Sequence, residues 1–256
     1  MKFIDTHAHL YSAEFDADRE AIIDRAREQG IEKIILPAID SETYDAMMKL
    51  HRQHPDLCLA ANGLHPCSVK AETLDAELRF CEEQFEGNTF VAIGECGIDL
   101  YWDTSTLELQ QEALRIQCGW ALEKKLPIII HSRNATAECI DVLKPHTAKG
   151  LRGVFHCFSG TIQEAKTIIE MGFYLGIGGV LTFKKSELPN VVKSIGLNNL
   201  ILETDSPYLA PVPYRGKRNE SAYLRYIADE LSSIFMLGSH EIAEITTRNA
   251  KALFGI

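Results

Sequence analysis

The stretch Phe3-Ile4-Asp5-Thr6-His7-Ala8-His9 carries two imidazoles two residues apart. In extended chain such residues point to the same side, as two ligands of one metal ion must. Alone, an H-x-H pair is as readily two hydrogen-bonded core or turn histidines. Four further apolar segments end in the same kind of chemistry. Val91-Ala92-Ile93-Gly94-Glu95 ends in a carboxylate, Ile128-Ile129-Ile130-His131 and Val154-Phe155-His156 end in imidazoles, and Leu200-Ile201-Leu202-Glu203-Thr204-Asp205 ends in two carboxylates. Charged groups are rarely buried unless paired or metal-bound, so recurrence at five strand ends favours metal over five separate structural accidents.

His7, His9, His131 and His156 with Glu95, Glu203 and Asp205 are too many ligands for one tetrahedral ion. A carboxylate such as Glu95 can bridge two cations a few ångströms apart. Imidazole with carboxylate suits Zn, Mn, Fe or Co, with Mg a weaker occupant. Two such divalent ions lower the pKa of a bound water and stabilise the attacking and leaving oxygens, which is the chemistry of hydrolysis. Asp205 can in addition accept the proton of the attacking water. Glu203, on the same strand face, either holds a ligand or water in place or forms a structural ion pair.

Such convergence needs strands that end together. Strand-length apolar runs alternate with helix-period segments along the whole chain: Lys2–His7, Glu32–Ala38, Leu57–Leu64, Thr89–Glu95, Pro127–His131, Leu151–His156, Phe173–Ile177 and Asn199–Glu203. The runs are continuously apolar, as in a parallel sheet covered on both faces. Between them, Leu74, Leu78, Cys81 and Phe85 share one helical face, and Leu188, Val191, Val192 and Ile195 another. Thr161 with Glu164 reads as a capping box, and Ser41 and Ser239 as N-caps. Eight βα units in 256 residues predict an α/β fold, a (β/α)8 TIM-type barrel with its active site at the C-terminal ends of the strands. The rival is a doubly wound open sheet, because periodicity does not reveal closure. With no Pro- or Gly-rich linker, residues 1–256 are expected to form a single domain.

Composition narrows the class further. An apolar fraction of 46% with 24% charged residues describes an ordinary globular chain and excludes disorder, collagen and coiled coil. No apolar run is long enough to span a bilayer. Seven scattered cysteines without a C-x-x-C pair, and an N-terminus lacking a signal-peptide core, predict a cytoplasmic location. No obligatory protein partner is indicated. The formal charge of −10 argues against indiscriminate nucleic-acid binding, yet leaves room for a locally positive site.

Seven ordered blocks then carry a resemblance. Asp5-Thr6-His7-Ala8-His9-Leu10, Gly63-Leu64-His65-Pro66, Gly94-Glu95-Cys96-Gly97-Ile98-Asp99, His131-Ser132-Arg133, His156-Cys157-Phe158-Ser159-Gly160, Glu203-Thr204-Asp205-Ser206-Pro207-Tyr208-Leu209 and Tyr214-Arg215-Gly216-Lys217-Arg218-Asn219-Glu220 are similar to those of TatD-family deoxyribonucleases. The resemblance implies a two-metal hydrolase on an amidohydrolase-like TIM barrel, cutting phosphodiester bonds of DNA. It assigns His7, His9 and Asp205 to one metal, His131 and His156 to the other, and Glu95 between them. Ser221, where the family often has Pro, is a departure at the start of a helix and does not touch the chemistry.

Substrate contacts are expected from His65, Arg133 and Arg215, since Arg forks suit phosphate oxygens. Lys184, Lys217 and Arg218 would extend the same patch, although a basic loop is commonly just solvated or paired. Tyr101, Trp102, Phe183 and Tyr214 lie in or near loops after strands and could stack on unpaired bases. Phe158 and Tyr208 are expected to close the barrel top. Cys96 and Cys157 should point away from the ligands beside them, into packing. A narrow mouth favours single-stranded DNA or frayed ends, and the resemblance implies 3′–5′ exonuclease-like cutting. The alternatives are a Glu-bridged esterase, lactonase or amidohydrolase acting on a small molecule, and a non-catalytic metal-binding scaffold. The absence of lysine from Thr89–Glu95 shifts weight from carbamyl-lysine relatives toward the nuclease.

Overall fold

Strand and helix alternate through the whole chain in the computed structural model, which describes residues 1–256. The strands are β1 (Phe3–Asp5), β2 (Ile31–Pro37), β3 (Cys58–Ala61), β4 (Ile93–Asp99), β5 (Ile128–Arg133), β6 (Gly153–Phe155), β7 (Tyr174–Ile177) and β8 (Leu200–Leu202). One helix follows each of the first seven: α1 (Arg19–Glu28), α2 (Ser41–Gln53), α3 (Leu74–Glu83), α4 (Leu107–Lys124), α5 (Thr136–Thr147), α6 (Ile162–Glu170) and α7 (Leu188–Ile195). Two follow the last, α8 (Leu224–Phe235) and α9 (Ser239–Phe254).

All neighbouring strands run parallel, in the orders β1-β2-β3 and β4-β5-β6-β7-β8. Backbone hydrogen bonds stitch the two arcs together at both seams. Gly94 N–H donates to Asn62 O at 2.9 Å and Asn62 N–H to Ala92 O at 3.2 Å. At the other seam Thr6 N–H donates to Leu202 O at 3.0 Å and Asp205 N–H to His7 O at 2.9 Å. The sheet is therefore a closed TIM-type barrel, and the open-sheet alternative falls.

Inside it, Ile4, Ile35, Ala61, Ile129, Val154 and Ile201 form an apolar layer continued by Leu253 and Phe254 of α9. Strand alternation carries that layer into the site: two residues beyond Ile129, Val154 and Ile201 stand His131, His156 and Glu203. Outside, the expected helical faces are buried, with Leu74, Leu78 and Cys81 on α3 and Leu188, Val191 and Val192 on α7.

Several boundaries differ from expectation. β1, β6 and β8 end at Asp5, Phe155 and Leu202, so the polar residues after them lie on loops. β4 runs Ile93–Asp99 and not Thr89–Glu95. Gly97 stays in the ladder, where its backbone approaches β5 closely, opposite His131. Thr161 and Glu164 do form a capping box. The N-cap of α2 is Asp40, not Ser41, because Asp40 accepts from Thr43 N–H while Ser41 Oγ donates to Glu77 at 2.7 Å. Likewise Gly238 caps α9, and Ser239 Oγ donates to Asp229 at 2.8 Å.

Gly97 has φ +147°, and a Cβ there would overlap the His131 carbonyl oxygen. Gly97→Ala should cost about 2 kcal/mol or more, lowering Tm by roughly 4–8 °C in a chain of this size. Thermal unfolding checks this, and an unchanged Tm would contradict it.

Candidate metal centre

Glu95 is 2% exposed, and its two carboxylate oxygens face different groups. Oε2 lies 3.0 Å from His7 Nε2 and 3.4 Å from His9 Nε2. Oε1 lies 2.7 Å from His156 Nε2, 2.8 Å from His131 Nδ1 and 3.3 Å from His65 Nε2. Asp205 Oδ1 stands 3.8 Å from Nε2 of both His7 and His9. All six residues expected as ligands thus gather at the C-terminal end of the barrel. His65, expected only to touch substrate, joins them.

Hydrogen bonding outside this cluster fixes which nitrogens can bind. The Tyr11 hydroxyl donates to Pro37 O at 2.6 Å, so His9 Nδ1, 2.9 Å from that hydroxyl, must donate to it. A neutral His9 then presents an Nε2 lone pair inward. Asp99 Oδ2 lies 2.9 Å from His131 Nε2 and in the same way favours an inward lone pair on Nδ1. Pairs of inward nitrogens lie close together, His7 with His9 at 3.2 Å and His131 with His156 at 3.3 Å. Ligands about 2.1 Å from a common cation stand roughly 3.0–3.4 Å apart, so these separations suit shared ions. Three sets of ligand atoms are close enough to hold an ion: His7, His9 and Glu95; His7, His156 and Asp205; and His65, Glu95 and His131. The donor set fits divalent cations.

The charges in the cluster are strongly coupled, and protons on the imidazoles compete with any cation for the same nitrogens. Burial opposes ionisation of Glu95, yet His156, His7, His65 and His131 hold its carboxyl well below the usual carboxylate range. Burial would lower His156, but Glu95 and Glu203 push it well above its ordinary value. Burial, with His156 beside it, drives His7 well down. Burial pushes Asp205 up to about 6 despite the pull of His156 and His9. A cation beside these carboxylates supplies the counter-charge that favours their ionised forms.

Other side chains hold the cluster in place. Asp5, fully buried, accepts from Thr204 N–H at 2.9 Å and Thr204 Oγ1 at 2.6 Å, tying β1 to the segment that carries Asp205. Glu203 Oε1 accepts from Cys157 N–H at 2.5 Å and lies 3.5 Å from His156 Nδ1, which places Glu203 against the cluster rather than in a remote ion pair. Sequence reading missed the roles of Tyr11, Asp5 and Asp99. The signal for Asp99 was its position four residues beyond Glu95, on one strand face once β4 continues to Asp99.

The rim is mixed. Arg133 is exposed, its guanidinium 3.8 Å over the Tyr101 ring; that of Arg215 lies 4.3 Å over Phe183. Lys184 and Lys217 are exposed. Arg218 is engaged, reaching the Glu14 carbonyl and Asp18 Oδ2, the latter at 2.6 Å, so it belongs to the loop's anchorage. Tyr214 stacks on Tyr223 at 4.1 Å. Phe158 is buried, and Tyr208, 52% exposed after the turn that follows Asp205, brings its ring to the mouth, 6.4 Å from His9. Cys96 is buried in packing, whereas Cys157 is only half-buried. β6 has ended before it, so alternation no longer sets its direction, and it has φ +47°.

A closed βα-barrel with a buried His/Glu/Asp cluster at its C-terminal mouth defines the class of TIM-barrel metal-dependent hydrolases. A family model described as TatD related DNase matches residues 4–255, and the chain belongs to that family. It is 40% identical over 253 residues to the uncharacterized metal-dependent hydrolase YabD of Bacillus subtilis, covering 98% of each chain. It is 34% identical over 260 residues to the 3′-5′ ssDNA/RNA exonuclease TatD of Erwinia tasmaniensis, covering 98% of this chain and 99% of that one. Among solved structures, YjjV, a TatD homologue from Escherichia coli K12, superposes with a TM-score of 0.89 at 32% identity, covering 99% and 98% of the two chains. No helix is long and apolar enough to cross a membrane.

Tyr11 and Asp99 hold the His9 and His131 rings, so Tyr11→Phe and Asp99→Ala should each weaken metal affinity about 10- to 100-fold without altering far-UV circular dichroism. Competition against a chromophoric chelator measures it. Wild-type affinity in both variants would contradict the assigned tautomers.

Proposed function

We propose that the protein hydrolyses phosphodiester bonds of single-stranded nucleic acid, DNA above all, from a 3′ end, with two divalent cations held on either side of Glu95. The observation that carries this reading is the opposed facing of the two Glu95 oxygens, one toward His7 and His9, the other toward His131, His156 and His65. His7, His9 and Asp205 would hold one ion, and His131 and His156 the other, with residues 1–256 acting as one catalytic domain.

Bound there, the two cations would acidify a water and neutralise charge on the phosphodiester. The protein's own groups do the rest. Asp205, beside His7 and His9, takes the proton of the attacking water on a carboxylate oxygen. Glu203, next to His156 and bonded to the Cys157 amide, keeps that imidazole in place. His65, at the edge of the cluster, and the exposed Arg133 and Arg215 bind phosphate oxygens of the strand. These local positive charges, together with the cations, overcome the formal charge of −10 at the point where the polyanion enters. Substrate class is supported by the Erwinia relative, whose name gives single-stranded DNA and RNA and 3′-5′ polarity. Glu95, in place of a lysine anywhere in β4, disfavours a carbamyl-lysine amidohydrolase.

Exhaustive chelation should abolish hydrolysis of a labelled single-stranded oligonucleotide, and added Mn, Mg, Co or Zn should restore it. Asp205→Asn should fold normally but lose roughly 100- to 10,000-fold in turnover. Gel-resolved cleavage of the reloaded and variant proteins tests both. Full activity without metal would remove the two-cation scheme, and near-wild-type turnover would remove Asp205 as the base.

A further inference from the structure

We propose that Trp102 and Tyr101, backed by Arg133, form a platform on which an unpaired nucleobase of the substrate stacks beside the metal centre. This rests on the substrate class proposed above and deepens it. Trp102 is 71% exposed and Tyr101 53% exposed, whereas the other tryptophan, Trp120, is buried. Tyr and Trp are enriched at binding surfaces, where an apolar ring with a polar handle meets a partner. The two rings meet edge to face, with centroids 4.9 Å apart and planes at 89°, so each braces the other. The Arg133 guanidinium lies 3.8 Å over the Tyr101 ring and 5.5 Å from the Trp102 ring.

Two ties hold the platform at a set offset from the centre. Arg133 lies on β5 two residues beyond His131, on the same strand face. Asp99 provides the second. Its Oδ2 lies 2.9 Å from His131 Nε2, while its Oδ1 accepts from the backbone N–H of Tyr101 at 2.9 Å and of Trp102 at 3.3 Å. One carboxylate thus orients a ligand imidazole and anchors the loop that carries the exposed rings.

The chemistry of these rings and their neighbours selects the occupant. Every base has a π-face, so an aromatic platform binds without regard to sequence, and an adjacent Arg serves the phosphate between bases. A base paired in a duplex has its faces covered by its stacked neighbours, so the platform selects single strands. The tie through Asp99 to His131 of the proposed catalytic centre favours a base of the substrate over a protein partner.

The test uses metal-loaded protein and a short phosphorothioate oligothymidylate, compared with a strand of equal length and charge whose residues are all abasic. Fluorescence anisotropy reports binding. Trp102→Ala should bind the base-bearing strand roughly 5- to 100-fold more weakly than wild type. That difference should disappear on the abasic strand, and Trp102→Phe should retain most of the affinity. Wild-type binding by Trp102→Ala, or an equal loss on both strands, overturns the platform and leaves the proposed function standing. If the wild-type protein binds neither strand and hydrolyses only a small ester, the substrate reading fails and takes the platform with it.

Discussion

Everything at the barrel mouth answers to the buried carboxylate of Glu95. Moving an ionised group out of water costs several kcal/mol unless compensating charge and hydrogen bonds surround it. Here five imidazoles on four different segments face it and can supply that compensation either as protonated rings or by holding cations against it: His7 and His9 after β1, His65 after β3, His131 on β5 and His156 after β6. None is a neighbour of Glu95 in sequence, so the site exists only when the barrel has closed with every strand in register. Closure and chemistry are one constraint. The seams that join the two arcs lie beside the ligands, with Gly94 N–H donating to Asn62 O on one side and Asp205 N–H to His7 O on the other.

The barrel axis also sorts the chemistry by depth. On the inner face of β5, Ile129 belongs to the apolar floor, His131 to the ligand layer and Arg133 to the rim, each two residues beyond the last. Val154 and His156 repeat the first two steps from β6. The floor excludes water from below and lowers the local dielectric, which strengthens every charge interaction above it. The rim returns positive charge to a chain that is acidic as a whole, where a polyanion would have to enter.

Much of this was legible in the sequence. Eight βα units in a chain of this length predicted the barrel with an open sheet as the rival, and apolar runs ending in His, Glu or Asp, narrowed by the resemblance, predicted the convergence of His7, His9, Glu95, His131, His156 and Asp205. What escaped depended on tertiary contact. The apolar run Thr89–Glu95 stops short of Gly97 and Asp99, which stay in the ladder opposite His131 and Arg133. Tyr11 shows its role only through Pro37, twenty-six residues away. In sequence Arg218 reads either as part of the phosphate patch or as a paired cation, and Asp18 on the first βα connection decides for the pair. Cys157 is only half-buried because the chain leaves extended geometry just before it, and alternation then says nothing about its direction.

Crystals of the protein loaded with Mn2+, with diffraction data collected on either side of the Mn absorption edge, test the central claim most directly. Two anomalous peaks are expected a few ångströms apart, flanking the Glu95 carboxylate, one beside His7, His9 and Asp205 and the other beside His131 and His156. A single peak, or peaks remote from Glu95, would contradict the account.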